Sequence, residues 1–177
     1  MHLNIEIKAR SRQHDHLRQI LEQQAGSDFR GTDHQVDTYF HVPHGRLKLR
    51  QGNIENNLIH YHRPDQAGPK ASEVQLYRTP ESDTLRTLLD GALGVRVVVD
   101  KQRDIYFIDN VKFHLDTVQG LGTFVEIEAI DFDGTICAER LHQQCSYYLT
   151  LLGIAPEDLL DNSYSDMLLD RPHDHAE

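Results

Sequence analysis

From Leu3 to Arg10 the chain alternates strictly. Leu3, Ile5, Ile7 and Ala9 fall on one face, and Asn4, Glu6, Lys8 and Arg10 on the other. A period of two predicts a strand. Ser11 is placed to cap a helix over residues 12–25, which carries Leu17, Ile20 and Leu21 and stops at Gly26. Further strands are predicted over 32–40, 46–50, 58–63, 73–78, 95–103, 104–108, 111–118 and 123–130, with turns at 42–45, 52–57, 109–110 and 119–122. A helix opening at Pro80 carries Leu85, Leu88, Leu89 and Leu93 and stops near Gly94. Another runs from Gly134 to about Leu152, followed by helical turns at 156–160 and 163–169. About eight strands joined by short turns predict an α+β fold, an antiparallel sheet closed or nearly closed into a β-barrel. Residues 1–170 read as one domain, and 171–177 as a polar tail without fixed structure.

The polar strand faces are unusually rich in formal charge: Glu6/Lys8/Arg10, Arg46/Lys48/Arg50, Lys101/Arg103 and Glu126/Glu128. Any one of them reads as a solvated outer face. Together they read differently, because like charges along one strand face repel unless counter-ions intervene. A barrel with these faces inward gathers both signs around one cavity. There a triphosphate and a divalent cation would neutralise them, Arg and Lys supplying phosphate donors and carboxylates holding Mg²⁺.

Composition narrows the partners. The net charge of −10 over 177 residues argues against a nucleic-acid polymer or an anionic membrane, though not against a small polyphosphate. No apolar run approaches the ~18–20 residues of a membrane span. The first residues carry no signal-peptide core, and Cys137 and Cys145 read as free thiols, so a cytoplasmic location is expected. Twelve histidines invite a metal reading. Yet His14-Asp15-His16 opens a helix, His173-Asp174-His175 sits in the tail, and His60 and His62 share a face expected to point outward. Gly120-Leu121-Gly122 reads as a hairpin turn, since no helix follows it.

Asn4-Ile5-Glu6-Ile7-Lys8 resembles the ExExK signature of the CYTH, or triphosphate tunnel metalloenzyme, superfamily. Leu47-Lys48-Leu49-Arg50, Tyr61-His62-Arg63-Pro64, residues 100–107, residues 120–128 and Ser163-Tyr164-Ser165-Asp166 follow in family order. Among its branches the chain is most similar to class IV adenylate cyclases. The resemblance implies a closed eight-stranded tunnel and a bound Mg²⁺ or Mn²⁺ held by Glu6, Glu126 and Glu128, with Asp116 as a further ligand. It also implies a triphosphate gripped by Lys8, Arg50, Arg63, Lys101 and Arg103, with Arg10, Arg46 and Lys48 beside them. Lys8 and Arg103 are the candidate catalytic cations, and homodimers are common in the family. One position departs from the signature: its first acidic residue is Asn4 here. An amide oxygen ligates a cation without contributing charge, so a lower metal affinity or number is expected.

Four functions are open at this point. A cyclase would convert ATP to cyclic AMP and pyrophosphate, and a triphosphatase would hydrolyse tripolyphosphate, thiamine triphosphate or a nucleotide. A non-catalytic polyphosphate or nucleotide binder would use the same tunnel, and a purely structural barrel is disfavoured by the convergent charge.

Overall fold

The computed structural model describes residues 2–62, 70–80 and 82–171. Eight strands form a closed antiparallel barrel: β1 (His2–Arg10), β2 (Asp28–Phe40), β3 (Arg46–Gly52), β4 (Asn57–His62), β5 (Lys70–Arg78), β6 (Val95–Ile108), β7 (Val111–Val118) and β8 (Gly122–Asp131). Around the barrel they run β1-β5-β4-β3-β2-β6-β7-β8. Among the described residues four α-helices accompany them, α1 (His14–Glu22), α2 (Asp83–Leu93), α3 (Ala138–Leu151) and α4 (Tyr164–Leu169), with a short 3-10 helix at Pro156–Asp158.

The main hydrophobic core lies outside the barrel wall. Ile5, Ile7 and Ala9 of β1, Val111, Phe113 and Leu115 of β7, and Val125, Ile127 and Ala129 of β8 point outward. They pack beneath Leu17 and Leu21 of α1 and Leu141 and Cys145 of α3. Each such large side chain contributes about 1.5–3 kcal/mol on full burial. With the apolar faces turned out to meet helices, the period of two turns the charged faces in.

A smaller cluster closes one end of the barrel. Tyr39, Tyr61, Val99, Val118 and Phe124 pack with Tyr164, at the start of α4. Leu160 N–H donates to the Lys8 carbonyl at 2.9 Å, fixing the approach of this segment. Ser163 and Asp166 then form a reciprocal capping box that starts α4.

Several boundaries differ from the sequence reading. The segments 95–103 and 104–108 are one unbroken strand, β6, because paired neighbours on both sides carry the ladder through. Helix α1 begins at His14, with Gln13 rather than Ser11 at its cap. Helix α3 begins at Ala138, because the Asp131 carboxylate accepts N–H groups of Gly134, Thr135 and Ile136 and holds that stretch as a turn. Cys137 is exposed at the α3 cap, while Cys145 is buried with its Sγ 3.2 Å from the Ile5 carbonyl. Burial pushes the Cys145 thiol up to about 12. Of the predicted tail only Arg171 is described, and His173-Asp174-His175 lies outside the described residues. Among the described residues no helix is long and apolar enough to cross a membrane.

Candidate active site: a charged cavity inside the barrel

The barrel encloses a cavity of about 740 Å³. Asn4, Glu6 and Lys8 of β1 reach it, with Lys48 and Arg50 of β3, Lys101 and Arg103 of β6, and Glu126 and Glu128 of β8. The charged faces predicted from strand parity therefore converge.

Its cations are held by buried carboxylates. Asp37, on β2, bonds Arg50 Nε at 2.8 Å, Lys101 Nζ at 2.7 Å and Lys48 Nζ at 3.1 Å. Burial alone would raise its pKa, but the three cations hold it well below the ordinary carboxylate range. Arg103 is gripped by both oxygens of Asp116, at 2.6 and 2.5 Å, and reaches Glu126 at 2.8 Å. Tyr164 Oη donates to Asp116 at 2.8 Å. Lys8 meets Glu126 at 2.8 Å and stands 3.6 Å from the Tyr164 ring centre, a cation–π contact. Burial pushes the Lys101 ammonium down to about 7, and the nearby Arg50, Arg103 and Lys48 add to this against the pull of Asp37.

A second anchor comes from the β3–β4 turn. Glu55 accepts from Arg50 at 2.9 Å and also pairs with Lys112 of β7. The turn is itself held by the fully buried Asp33, which accepts the N–H groups of Ile54 and Glu55 at 2.8 and 3.0 Å. Gly52 permits this, since a Cβ there would come within 2.7 Å of an Asp33 carboxylate oxygen and of the Glu55 carbonyl. His114 faces the cavity with Nδ1 3.0 Å from Glu126 and a buried Nε2 that has no partner among the described residues. Burial, with Arg103 and Lys112 nearby, lowers its pKa to about 3, so the imidazole is neutral at pH 7.

Oxygen donors gather on the β1–β8 seam. Glu6 and Glu128 are directly opposite in register, and both line the cavity. Like charges at such a pair, with Cβ atoms roughly 5 Å apart, destabilise a sheet unless a cation lies between them. Asn4 donates from Nδ2 to Glu128 at 2.6 Å, and its buried Oδ1 has no partner among the described residues. These carboxylate and amide oxygens suit a hard cation such as Mg²⁺. Among the described residues no three His, Cys, Asp or Glu side chains are already grouped to hold a metal ion, and Glu126 is engaged by Lys8, Arg103 and His114.

Not every predicted site residue reaches the cavity. Arg10 ends β1 at the rim and is exposed, its guanidinium 5.3 Å from the Phe124 ring centre. Arg46 lies beneath α4, bonded to Asp166 at 2.8 Å, beside a small recess that also includes Arg96. Asp116 is fully buried behind Arg103 and does not line the cavity, its oxygens accepting from Arg103 and Tyr164. Arg63 lies outside the described residues. His60 and His62 sit on the opposite strand face from Tyr61, which lines the cavity.

Sequence reasoning missed Asp37, Glu55, Lys112 and His114. A signal existed for three of them: Asp33, Gln35 and Asp37 alternate along β2, as do Lys112, His114 and Asp116 along β7. Glu55 had none, because a turn residue has no strand parity.

A CYTH domain family model matches residues 2–160. The chain belongs to the CYTH family. The CYTH fold also recurs in solved structures at low identity. The PH1012 protein of Pyrococcus horikoshii is 24% identical, with 92% of this chain and 98% of that one covered and a TM-score of 0.76. A Vibrio parahaemolyticus protein described as a candidate adenylate cyclase is 20% identical over 94% of this chain and 98% of that one, TM-score 0.78. HpAC1 from Hippeastrum, described with a dominant triphosphatase activity, is 18% identical over 96% and 94%, TM-score 0.60. No curated protein matches the chain.

Proposed function

We propose that this CYTH protein is a divalent-metal-dependent enzyme acting on a triphosphate, with ATP converted to cyclic AMP and pyrophosphate as the leading reaction. The observation that carries this reading is the convergence in one cavity of Lys8, Lys48, Arg50, Lys101, Arg103 and Lys112 with the facing carboxylates Glu6 and Glu128. A polyanion with its cation is the ligand that satisfies both sets at once.

Glu6, Glu126 and Glu128, with Asn4 Oδ1, would hold Mg²⁺ or Mn²⁺. When bound, that ion supplies positive charge beside the reacting phosphate and lowers the pKa of an attacking oxygen. The chain itself does the rest by positioning and electrostatics. Arg50 and Lys101, pre-oriented by Asp37, bind the phosphate chain, and Lys48 adds charge at their side. Arg63 belongs to the same expected grip. Arg103, fixed by Asp116, and Lys8 face the reacting phosphate and stabilise the negative charge that builds on the departing pyrophosphate. Asp116 acts in this reading through Arg103, as a positioning residue.

Hydrolysis is the second reading, favoured by the triphosphatase activity ascribed to the similarly folded HpAC1. One assay separates the two. Purified protein is incubated with Mg²⁺ or Mn²⁺ and ATP, tripolyphosphate or thiamine triphosphate, and cyclic AMP, pyrophosphate and orthophosphate are resolved. Cyclic AMP supports the cyclase, and orthophosphate without cyclic AMP supports the triphosphatase. Binding without turnover of any of the three substrates would sink both enzymatic readings.

A further inference from the structure

The cations of the cavity divide between two carboxylate centres. Asp37 holds Arg50, Lys101 and Lys48. Asp116 and Glu126 hold Arg103 and Lys8, the pair assigned to the reacting phosphate. Tyr164 joins the second centre, although it belongs to α4 and not to the barrel wall. Its Oη donates to Asp116 Oδ2 at 2.8 Å, and the same oxygen accepts from Arg103. Its ring centre stands 3.6 Å from Lys8 Nζ, and Phe124 packs against that ring at 4.9 Å between centres. One side chain therefore touches Lys8 directly and reaches Arg103 through a shared carboxylate.

Both contacts restrict motion. The hydroxyl steadies the carboxylate that carries the two-pronged grip on Arg103, and a phenylalanine would pack there without it. Lys8 is a point charge on a flexible stem, so the ring face and Glu126 fix its ammonium from two sides. The segment delivering Tyr164 is tied to the same strand. Leu159 bridges Ala9, and Leu160 N–H donates to the Lys8 carbonyl at 2.9 Å. The six residues of α4 are too few to persist as a free helix, so the helix depends on this docking, on its capping box and on the Asp166–Arg46 pair.

We infer that Tyr164 is a positioning residue for turnover, resting on the roles proposed for Lys8 and Arg103: it sets both cations at once, and so makes docking of the α4 segment a condition of the chemical step. Phosphate binding at the Asp37 centre does not pass through it. Loss of Tyr164 contacts therefore reduces kcat and leaves KM in place.

Steady-state kinetics in Mg²⁺ with ATP, tripolyphosphate and thiamine triphosphate test this for wild type, Tyr164→Phe and Tyr164→Leu, with circular dichroism to check the fold. Tyr164→Phe keeps the ring over Lys8 and loses only the hydroxyl. Its kcat should fall by about ten- to a hundredfold, the scale of one hydrogen bond to a charged group. KM should change by less than about twofold, as for an interaction used only in the transition state. Tyr164→Leu should lose roughly tenfold more, the scale of a desolvated cation–π contact. In an Arg103→Lys background, which lacks the two-pronged grip, Tyr164→Phe should cost much less than it does alone. This comparison, with Tyr164→Phe itself, decides the matter even if Tyr164→Leu does not fold. A wild-type kcat in Tyr164→Phe overturns the inference, as does a raised KM at unchanged kcat, which would put Tyr164 in the phosphate grip. Equal costs in the two backgrounds overturn it too, since Tyr164 would then act without Arg103. Wild type that turns over none of the three substrates removes the enzymatic reading itself, and this inference with it.

Discussion

Asn4 Nδ2 donates a 2.6 Å hydrogen bond to Glu128 Oε1 across the β1–β8 seam, one step along from the facing carboxylates Glu6 and Glu128. The amide thus does two things at the position where the family signature carries an acid. It leaves an oxygen, Oδ1, buried in the seam, and it steadies a carboxylate that already faces another. A carboxylate at residue 4 would add a third negative charge to this corner.

Asn4→Asp should therefore lower stability without metal and raise the stabilisation that metal brings. Losing the donor beside Glu128 is expected to cost about 1–3 kcal/mol in metal-free protein. Mg²⁺ or Mn²⁺ should restore more than it adds to wild type. Thermal melts with and without the ion measure both. Equal metal-induced shifts in the two proteins would show that residue 4 does not take part in cation binding.

Arg103 and Asp116 form a buried bidentate pair, and removing one partner strands the other. Arg103→Ala should cost about 3–5 kcal/mol of stability. The double variant Arg103→Ala with Asp116→Asn should recover a substantial part of that loss, while turnover stays lost in both. Denaturant unfolding and a turnover assay read the two effects separately. A single variant as stable as wild type would contradict the burial argument.

Lys101 gives ligand binding a pH dependence. In the free protein burial and its cationic neighbours hold its pKa near about 7, so it is only part protonated at neutral pH. A bound phosphate favours the charged form and raises that pKa. Binding therefore takes up a proton, and affinity falls as pH rises from 7, by up to about tenfold per unit until the bound-state pKa is passed. Calorimetry in two buffers of different ionisation enthalpy measures the uptake. Lys101→Arg, whose guanidinium does not titrate in this range, should flatten the profile. An unchanged profile would assign the proton elsewhere.

Glu55 stands where an anionic ligand would compete for Arg50 and Lys112. Glu55→Gln should tighten polyphosphate binding several-fold in metal-free buffer, by Coulombic release of two cations. It should also cost stability. The Glu55 pKa is lowered in the folded state: burial alone would raise it, but Arg50 and Lys112 prevail. Its contribution is thus present above the ordinary carboxylate pKa and fades as pH falls toward the folded value. The stability gap between wild type and variant should accordingly be full at pH 7 and shrink below about pH 4.5. A gap constant across that range would remove the ion pair as its cause.

Much of the cavity was legible from alternation alone. Glu6 and Lys8, Lys48 and Arg50, Lys101 and Arg103, and Glu126 and Glu128 each share a strand face because successive side chains point to opposite sides. Arg10 and Arg46 have the right parity and still fall outside the cavity. Parity says nothing of height along the barrel, and these two sit at the rim and beneath α4. Asp37 shares a two-residue period with Asp33 and Gln35, but that alternation does not say which cations the acid will meet. Its role depends on Arg50 lying opposite it in register and on Lys101 reaching it from the neighbouring β6.

What the chain determined by itself is which residues travel together: the two-residue period sorts each strand into an apolar and a charged face, whatever the fold. Which face turns inward was decided only in three dimensions. Helices α1 and α3 cover the outside of β1, β7 and β8, and burying Ile7, Phe113 and Ile127 beneath them leaves the charged side chains facing one another across the barrel. That arrangement holds because Lys8, Arg50, Lys101 and Arg103 each find a carboxylate on another strand, and Lys112 finds one in the β3–β4 turn. Such pairings come from strand order and register, which no local pattern encodes.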